Sequence, residues 1–225
     1  KPWKTEYYMI PPEENAEFVC QMEQVLDVYH RPYDPQHPVI CMDESPSQLI
    51  GETRKPYIDG KGGKKQDYEY VRNGVVSIFM AVEPLTGNQV VEARDSHTSK
   101  DYVMFLEKLA AQYPNSHKIT LVQDNLSTHK PYAFYKFFAP DKARSLVEKF
   151  NFVYTPKHGS WLNMAEIALN VLKKQCLNRR MPDKQTMQEQ IEAWLKDQQR
   201  KKKPIEWQFD IDDARAKLKN LYPKF

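Results

Sequence analysis

The chain has 225 residues, 40% of them hydrophobic, and a formal net charge of +3, which excludes a disordered chain and leaves enough apolar surface for a core. Its three cysteines, Cys20, Cys41 and Cys176, are far apart and show no paired spacing, which argues against a disulfide framework or a zinc site and favours a reducing compartment. No stretch is apolar enough to span a membrane or act as a signal peptide, so we expect a soluble cytoplasmic protein.

The first half of the chain predicts a helix, a buried strand, a long polar loop and a hairpin. The helix follows Pro11 and Pro12 and carries apolar residues at helical spacing, Phe18, Met22, Val25 and Leu26. The strand, loop and two hairpin strands are predicted over residues 38–42, 45–69, 70–82 and 89–92.

The second half predicts helices alternating with two further strands. Thr98 or Ser99 caps a helix that ends at Pro114, and a buried strand covers residues 118–123. One broken helix or two short ones follow over residues 131–150, then a short strand at 152–154 and a helix that contains Glu166. The last predicted elements are a helix from Pro182, an extended segment at 205–209 and a helix capped by Asp210 or Asp212.

This order predicts an α/β fold: a mixed sheet, with an antiparallel hairpin plus parallel strands, flanked by helices on both faces. We expect an amino-terminal helical lead-in at residues 1–34, a central domain at 35–180, and a carboxy-terminal helical extension at 181–225 that packs on it. Because the chain begins without a starting Met, we also expect that an upstream segment is missing.

Three acids stand where such a fold brings side chains together. Asp43 and Asp124 end two buried apolar runs, and Glu166 lies on a largely apolar helix downstream. Strand ends meet at one edge of a sheet, and converging carboxylates repel one another unless a cation neutralises them. An all-oxygen site favours Mg²⁺, with Mn²⁺ as a substitute. Taken singly, each acid is also compatible with a turn, a cap or a solvated helix position.

The charge distribution favours a polyanionic partner. Residues 1–53 carry 3 basic and 10 acidic side chains, whereas residues 130–203 carry 16 basic and 7 acidic ones and end in the run 200–203. Such a surface attracts nucleic acid, although the run 200–203 is equally compatible with a solvated helix end. The segment 60–65 is glycine-rich and basic but lacks the spacing of a nucleotide-binding loop, so we expect no nucleotide cofactor. It fits a loop that grips DNA or an unengaged surface loop.

The ordered motifs resemble the mariner superfamily of DDE transposases, in its bacterial insertion-sequence branch. They are Met42-Asp43-Glu44, then Asp124-Asn125 with His129, then Tyr154-Thr155-Pro156 followed by Leu162-Asn163 and Glu166. The closing pattern Ile205-x-Trp207-x-Phe209 is also similar, so the likeness extends over residues 35–225. It implies a ribonuclease H-like fold, cleavage of transposon-end DNA, strand transfer into target DNA, and a homodimer that acts on two DNA ends.

The resemblance implies that Asp43, Asp124 and Glu166 hold two Mg²⁺ ions and carry the catalysis. Glu44, the neighbour of Asp43, is expected to point to the opposite face of the strand. His129 is expected to orient a phosphate or water, or to be a structural hydrogen-bond partner. The remaining candidates for DNA contact are Asn125, Lys157, His158, Ser160, Lys61, Lys64, Lys65, Lys173, Arg200, Lys201, Lys202 and Lys203.

The chain departs from the family pattern in two ways. The 41 residues between Asp124 and Glu166 are more than expected, with residues 157–161 as the apparent insertion, and the amino-terminal helix-turn-helix region has no counterpart. Two other functions therefore stay open. One is a DNA-binding protein of transposase descent that has lost catalysis; the other is a ribonuclease H-like nuclease without strand transfer.

Overall fold

The computed structural model describes residues 13–224, in which helices and strands follow the predicted order. The first half contains α1 (Ala16–Tyr29), β1 (Val39–Glu52), β2 (Tyr57–Ile58), β3 (Lys64–Lys65), β4 (Tyr70–Glu83), β5 (Asn88–Arg94) and α2 (Ser99–Gln112). The second half contains β6 (Ile119–Gln123), α3 (Ala133–Phe137), α4 (Pro140–Lys149), β7 (Phe150–Tyr154), α5 (Met164–Leu172), α6 (Lys184–Lys201) and α7 (Ile211–Lys217). Pro11 and Pro12, predicted to open α1, lie outside the described residues.

Five strands form the main sheet in the order β5-β4-β1-β6-β7. β4 runs antiparallel to both β1 and β5, whereas β6 runs parallel to β1 and β7 parallel to β6. The predicted mixed sheet is confirmed. Its parallel part directs the ends of β1, β6 and β7 toward one edge, which is where polar side chains can converge.

Helices cover both faces of this sheet because alternate strand residues point to opposite sides. Cys41, Met80 and Val122 face a core built with α1, α5 and α6, whereas Ile40, Met42 and Leu121 face a second core built with α2, α3 and α4. The flanking segments share the first core: α1 contributes Met22 and Leu26, and α7 contributes Ala214. The boundaries at 34/35 and 180/181 stay a prediction.

The predicted loop at 45–69 is wrong over its first part, because β1 continues through Glu52. Beyond Cys41, β1 pairs with β4 as a long antiparallel ribbon, while its pairing with β6 ends. The side of β1 that faced β6 is then an edge. An edge strand is where a proline such as Pro46 and polar side chains are tolerated. The remainder of the predicted loop holds the short exposed hairpin β2–β3.

Several local predictions are confirmed. Thr98 caps α2 in a capping box with Asp101, and Asp210 caps α7 by accepting a hydrogen bond from the backbone of Asp213 at 2.6 Å. The segment 131–150 forms two short helices rather than one broken helix. Over residues 13–224, no helix combines the length and apolar character needed to cross a bilayer.

Candidate active site

The pairing of β1 with β6 brings two of the predicted acids to the same edge of the sheet. Cys41 pairs with Val122 in a parallel register. Asp43 lies two residues beyond Cys41, and Asp124 lies two residues beyond Val122. Neighbouring parallel strands therefore deliver both carboxylates to equivalent positions.

The third acid, Glu166, is held near this edge by Asn163, the residue that caps α5. The Asn163 side chain accepts a hydrogen bond from the backbone of Ala165 at 3.1 Å and donates one to the carbonyl oxygen of Met42 at 2.9 Å. Asn163 is 2% exposed, so both contacts are shielded from water. Because Met42 immediately precedes Asp43, this single amide fixes the first turn of α5, with Glu166, against the strand that carries Asp43.

The pKa of Asp43 is also consistent with several carboxylates lying close together at this edge. Burial raises the pKa of the Asp43 carboxyl to about 7, and the nearby carboxylates of Glu44, Asp124 and Glu166 add to the rise. A hydrogen bond from the backbone of Glu44, at 2.8 Å, acts in the opposite direction. A cation is the ordinary remedy for such mutual repulsion. Within residues 13–224, however, no three His, Cys, Asp or Glu side chains are arranged as a ready-made set of metal ligands.

His129 links two acids from within the protein. Its Nδ1 lies 2.5 Å from a carboxylate oxygen of Asp124, and its Nε2 lies 3.3 Å from Oε2 of Glu44. The ring stacks on Tyr102 with 4.6 Å between centroids and is 1% exposed. Burial lowers the pKa of His129, but the two carboxylates outweigh it and raise the pKa to about 9. The imidazolium therefore holds the Asp124 side chain in place.

This position favours one of the two roles expected for His129. The ring is buried and engaged at both nitrogens, which fits a structural hydrogen-bond partner better than a direct phosphate contact. Its role in the site stays a prediction. Glu44 does face the opposite side of β1 from Asp43, as predicted, but it still reaches the site through His129. Among the described residues, its buried Oε2 has no well-aligned hydrogen-bond donor, so its contact with the imidazole is mainly electrostatic.

Five other predicted residues lie around this edge. Asn125 follows Asp124 and accepts a hydrogen bond from Lys130, and Lys173 donates one to Ser45 of β1 at 2.6 Å. The other three, Lys157, His158 and Ser160, are exposed in the connection between β7 and α5. Within it, the backbone of Gly159 bonds Pro156 at 2.8 Å, and His158 adopts a left-handed φ of 65°.

The remaining basic candidates do not join this group. Lys61, Lys64 and Lys65 are exposed on and beside the β2–β3 hairpin. The run 200–203 ends α6, and the backbone of Lys203 lies against Gly87 in the turn between β4 and β5. Since β4 is antiparallel to β1, that turn lies at the opposite edge of the sheet from Asp43. In addition, Arg200 and Lys201 both pair with Asp197 of their own helix.

The family follows from a match over most of the fold. Residues 38–188, which include all three acids, match the model of the DDE superfamily endonuclease. The chain belongs to this family. A search of curated proteins gives no match. The DDE endonuclease match thus rests on the segment from β1 to the start of α6.

Several solved structures of the Mos1 mariner transposase are similar to this chain in fold. The chain superimposes on the Mos1 strand transfer complex with a TM-score of 0.55 and 13% identity, over 85% of this chain and 58% of that one. For the Mos1 catalytic domain the TM-score is 0.55 with 12% identity, over 84% and 87% of the two chains. For the paired end complex with Mn the values are 0.53 and 13%, over 87% and 62%. The chain therefore has the ribonuclease H-like fold predicted from its sequence. It spans about 58% of the length of the transposase chain in the strand transfer complex.

The structure gives two residues of the candidate site a larger role than the sequence indicates. In the sequence Asn163 stands out only as part of the Leu162-Asn163 motif, yet it is a buried cap that ties α5 to β1. The cap itself was detectable, because Asn precedes an apolar helical run. Strand alternation predicts that Glu44 points away from Asp43, and nothing local in the sequence indicates that His129 lies within its reach.

Proposed function

We propose that this DDE endonuclease domain is the catalytic part of a transposase that cleaves transposon-end DNA and transfers the freed strand into target DNA. The observation that carries the proposal is the parallel register of β1 and β6, which brings Asp43 and Asp124 to one edge. The tie from Asn163 to Met42 adds Glu166 to the same edge. The matched Mos1 structures include a strand transfer complex and a paired end complex, which supports this choice of reaction.

Asp43, Asp124 and Glu166 would hold the divalent metal, Mg²⁺ or Mn²⁺, and two ions are expected. The donor chemistry fits, since carboxylate oxygens are the preferred ligands of both ions. Burial raises the pKa of Asp43, and the neighbouring carboxylates of Glu44, Asp124 and Glu166 add to the rise, which supports a site that a cation would neutralise. When bound, the metal would activate the attacking hydroxyl and stabilise the leaving oxygen of a phosphodiester.

The other residues of the site would either position the three acids or contact DNA. His129 holds the carboxylate of Asp124, and Asn163 holds the helix of Glu166, so neither acid needs to be reoriented during the reaction. The exposed residues Lys157, His158 and Ser160 stand beside the first turn of α5, where backbone phosphates are favourably bound. DNA is the proposed partner, with a homodimer as the acting form in the cytoplasm.

The decisive test is cleavage by paired variants. We expect Asp43→Asn and Asp124→Asn to abolish nicking of supercoiled plasmid in Mg²⁺ or Mn²⁺, because each loses a metal-binding charge while keeping its shape. Lys184→Gln, which removes an exposed ion pair with Asp95 at the end of β5, two strands from β1, is the control and should cleave normally. Nicking that survives either Asn variant would refute the proposal.

Two further measurements separate the rival functions. A scaffold that has lost catalysis need not bind Mn²⁺ at these acids, so calorimetry should detect Mn²⁺ binding to the parent protein and its loss in Asp43→Asn. A nuclease without strand transfer would nick DNA but yield no joined product. We therefore expect an oligonucleotide with a free 3′-hydroxyl to become covalently attached to plasmid DNA.

A further inference from the structure

Next to the site, the short helix α3 exposes aromatic rings on its outer side. Its inner residues Ala133 and Phe134 are 1% and 0% exposed, and Phe134 packs near Tyr102 in the core. By contrast Tyr132, Tyr135 and Phe137 are 56%, 48% and 39% exposed. Core packing accounts for the inner residues, but it gives no reason for three large rings in water.

Positive charge is interleaved with these rings. The ammonium group of Lys136 lies 5.0 Å from the ring centroid of Tyr132. That of Lys142 lies 4.6 Å from the ring centroid of Phe138 but is paired with Glu107, so Lys136 supplies the charge beside the exposed rings. Between Asn125 and Pro140 the sequence contains no Asp or Glu. We call Tyr132, Tyr135, Lys136 and Phe137 the α3 aromatic surface. Its chemistry complements a ligand that combines flat apolar rings with negative charge.

The α3 aromatic surface begins at the same edge of the sheet as the candidate site. α3 follows β6 after the loop that contains Asp124, so it begins at the same edge of the sheet. In that loop Lys130 bonds Asn125 and lies 4.6 Å from the ring centroid of Tyr154. A DNA strand whose phosphate lay beside Asp124 would therefore have its next nucleotides within reach of this surface.

We propose that the α3 aromatic surface binds single-stranded DNA by stacking unpaired bases on Tyr132 and Tyr135 while Lys136 contacts the backbone. This rests on the proposed function, since strand cleavage and joining expose unpaired nucleotides. In a duplex the flat faces of the bases are hidden within the stack, so exposed rings gain little from them. Stacking on unpaired bases has no such obstacle and tolerates any sequence.

The test measures binding without metal, so that no cleavage occurs. Fluorescence anisotropy in EDTA compares an oligothymidine strand with a blunt duplex of the same length. We expect Tyr132→Ala with Tyr135→Ala to weaken single-strand binding by at least about 5-fold per ring removed, and duplex binding to change by less than about 2-fold. Both tyrosines are exposed, so thermal unfolding should match the parent protein.

Matched variants isolate the stacking contribution. Tyr132→Phe with Tyr135→Phe keeps the ring faces and should bind the single strand like the parent protein. Tyr33→Ala removes a tyrosine of similar exposure, 52%, that precedes β1 and so lies toward the opposite edge; it should have no effect. A 2-aminopurine base in the strand should be quenched by the parent protein and less by the Ala variant, because quenching reports stacking directly.

Four outcomes would overturn the inference. The first two concern the Ala variant: an unchanged affinity for the single strand, or a loss of duplex affinity equal to the loss of single-strand affinity. The third is tighter binding of the matching RNA strand than of the DNA strand by the parent protein. The fourth is a shift in sedimentation between the parent protein and the Ala variant, which would identify the surface as a contact between protein copies. The binding test uses neither metal nor cleavage, so its result does not depend on whether the Asp43→Asn cleavage test succeeds. Failure of the cleavage test and failure of the stacking test are thus distinguishable.

Discussion

At the residue scale, the contacts of His129 with Asp124 and Glu44 favour a role in catalysis over a role in DNA binding. The ring is buried and touches a proposed metal ligand, so it is a positioning residue that acts through Asp124. Residues of this kind orient metal ligands and are comparable in importance to the ligands themselves.

We expect His129→Gln to lower the rate of metal-dependent cleavage by about 10- to 100-fold, because Asp124 would lose its fixed orientation. The affinity for duplex DNA in EDTA should change by less than about 2-fold, since the ring does not reach the surface. His97→Gln is the control, because His97 is exposed and bonds only Ser77, at 3.2 Å, among the contacts described for it. A loss of DNA affinity equal to the loss of rate would contradict this role.

At the scale of elements, α5 depends on Asn163 for both its start and its position. Removing an N-cap typically costs about 1 kcal/mol, and leaving the buried Met42 carbonyl without its donor costs about 1–3 kcal/mol more. The cap of α6, Asp183, accepts a hydrogen bond from Thr186 at 2.7 Å but has no comparable tie to β1 among its described contacts.

We therefore expect Asn163→Ala to be clearly more destabilising than Asp183→Ala in urea unfolding, and to lower the cleavage rate beyond its effect on folding. Asp183→Ala should lose about 1 kcal/mol and cleave normally while folded. Equal losses of stability and full activity in both variants would show that the Asn163 contact with Met42 has no effect on the site.

The turn between β4 and β5 is a second place where one residue joins two elements. Gly87 has a φ of 72°, and a Cβ at this position would lie 2.5 Å from the carbonyl oxygen of Lys203. The backbone of Ile205 also bonds Pro84 at 2.9 Å, so the segment after α6 is held against this turn.

We predict that Gly87→Ala lowers the free energy of unfolding by more than about 2 kcal/mol, since a left-handed conformation costs about 1–2 kcal/mol and the clash adds to it. Gly60→Ala is the control, because its Cβ would meet no atom within 4 Å, and it should change stability by less than about 0.5 kcal/mol. Similar unfolding midpoints for both variants would contradict the close approach of Lys203.

At the scale of the whole molecule, the first and last helices are joined to each other. Arg215 of α7 donates to Glu23 of α1 at 2.9 Å, and the hydroxyl of Tyr222 donates to the same carboxylate at 2.9 Å. The hydrogen bond from Arg215 is the main cause that lowers the pKa of Glu23 below its ordinary value of 4.5.

A carboxylate whose pKa is lowered by folding stabilises the folded state at pH values above its unfolded pKa, and this contribution disappears as the pH falls through the folded pKa. We therefore expect the parent protein to be more stable than Glu23→Gln at pH 7, and this difference to shrink below about pH 4.5. Urea unfolding at pH 7 and pH 3.5 measures it. A difference that is the same at both values would show that the pair does not couple folding to protonation.

The sequence by itself determined the kinds of element, their order and the residues placed at strand ends. Buried strands, amphipathic helices and caps such as Thr98 depend on residues a few positions apart, so local periodicity was enough to predict them. It also identified Asp43, Asp124 and Glu166 as a candidate site. It failed for β1, which was predicted to end near Asp43, because the length of a strand depends on its partner.

Only the tertiary structure decided how these elements meet. The bond from Asn163 to Met42 joins residues 121 positions apart, and the contact between His129 and Glu44 crosses between separate elements. Tertiary packing also places the run 200–203 against the turn between β4 and β5 and not beside the three acids. The distribution of charge along the sequence does not predict this separation. Such contacts depend on strand pairing and packing across the core, and these are properties of distant residues that no local pattern contains.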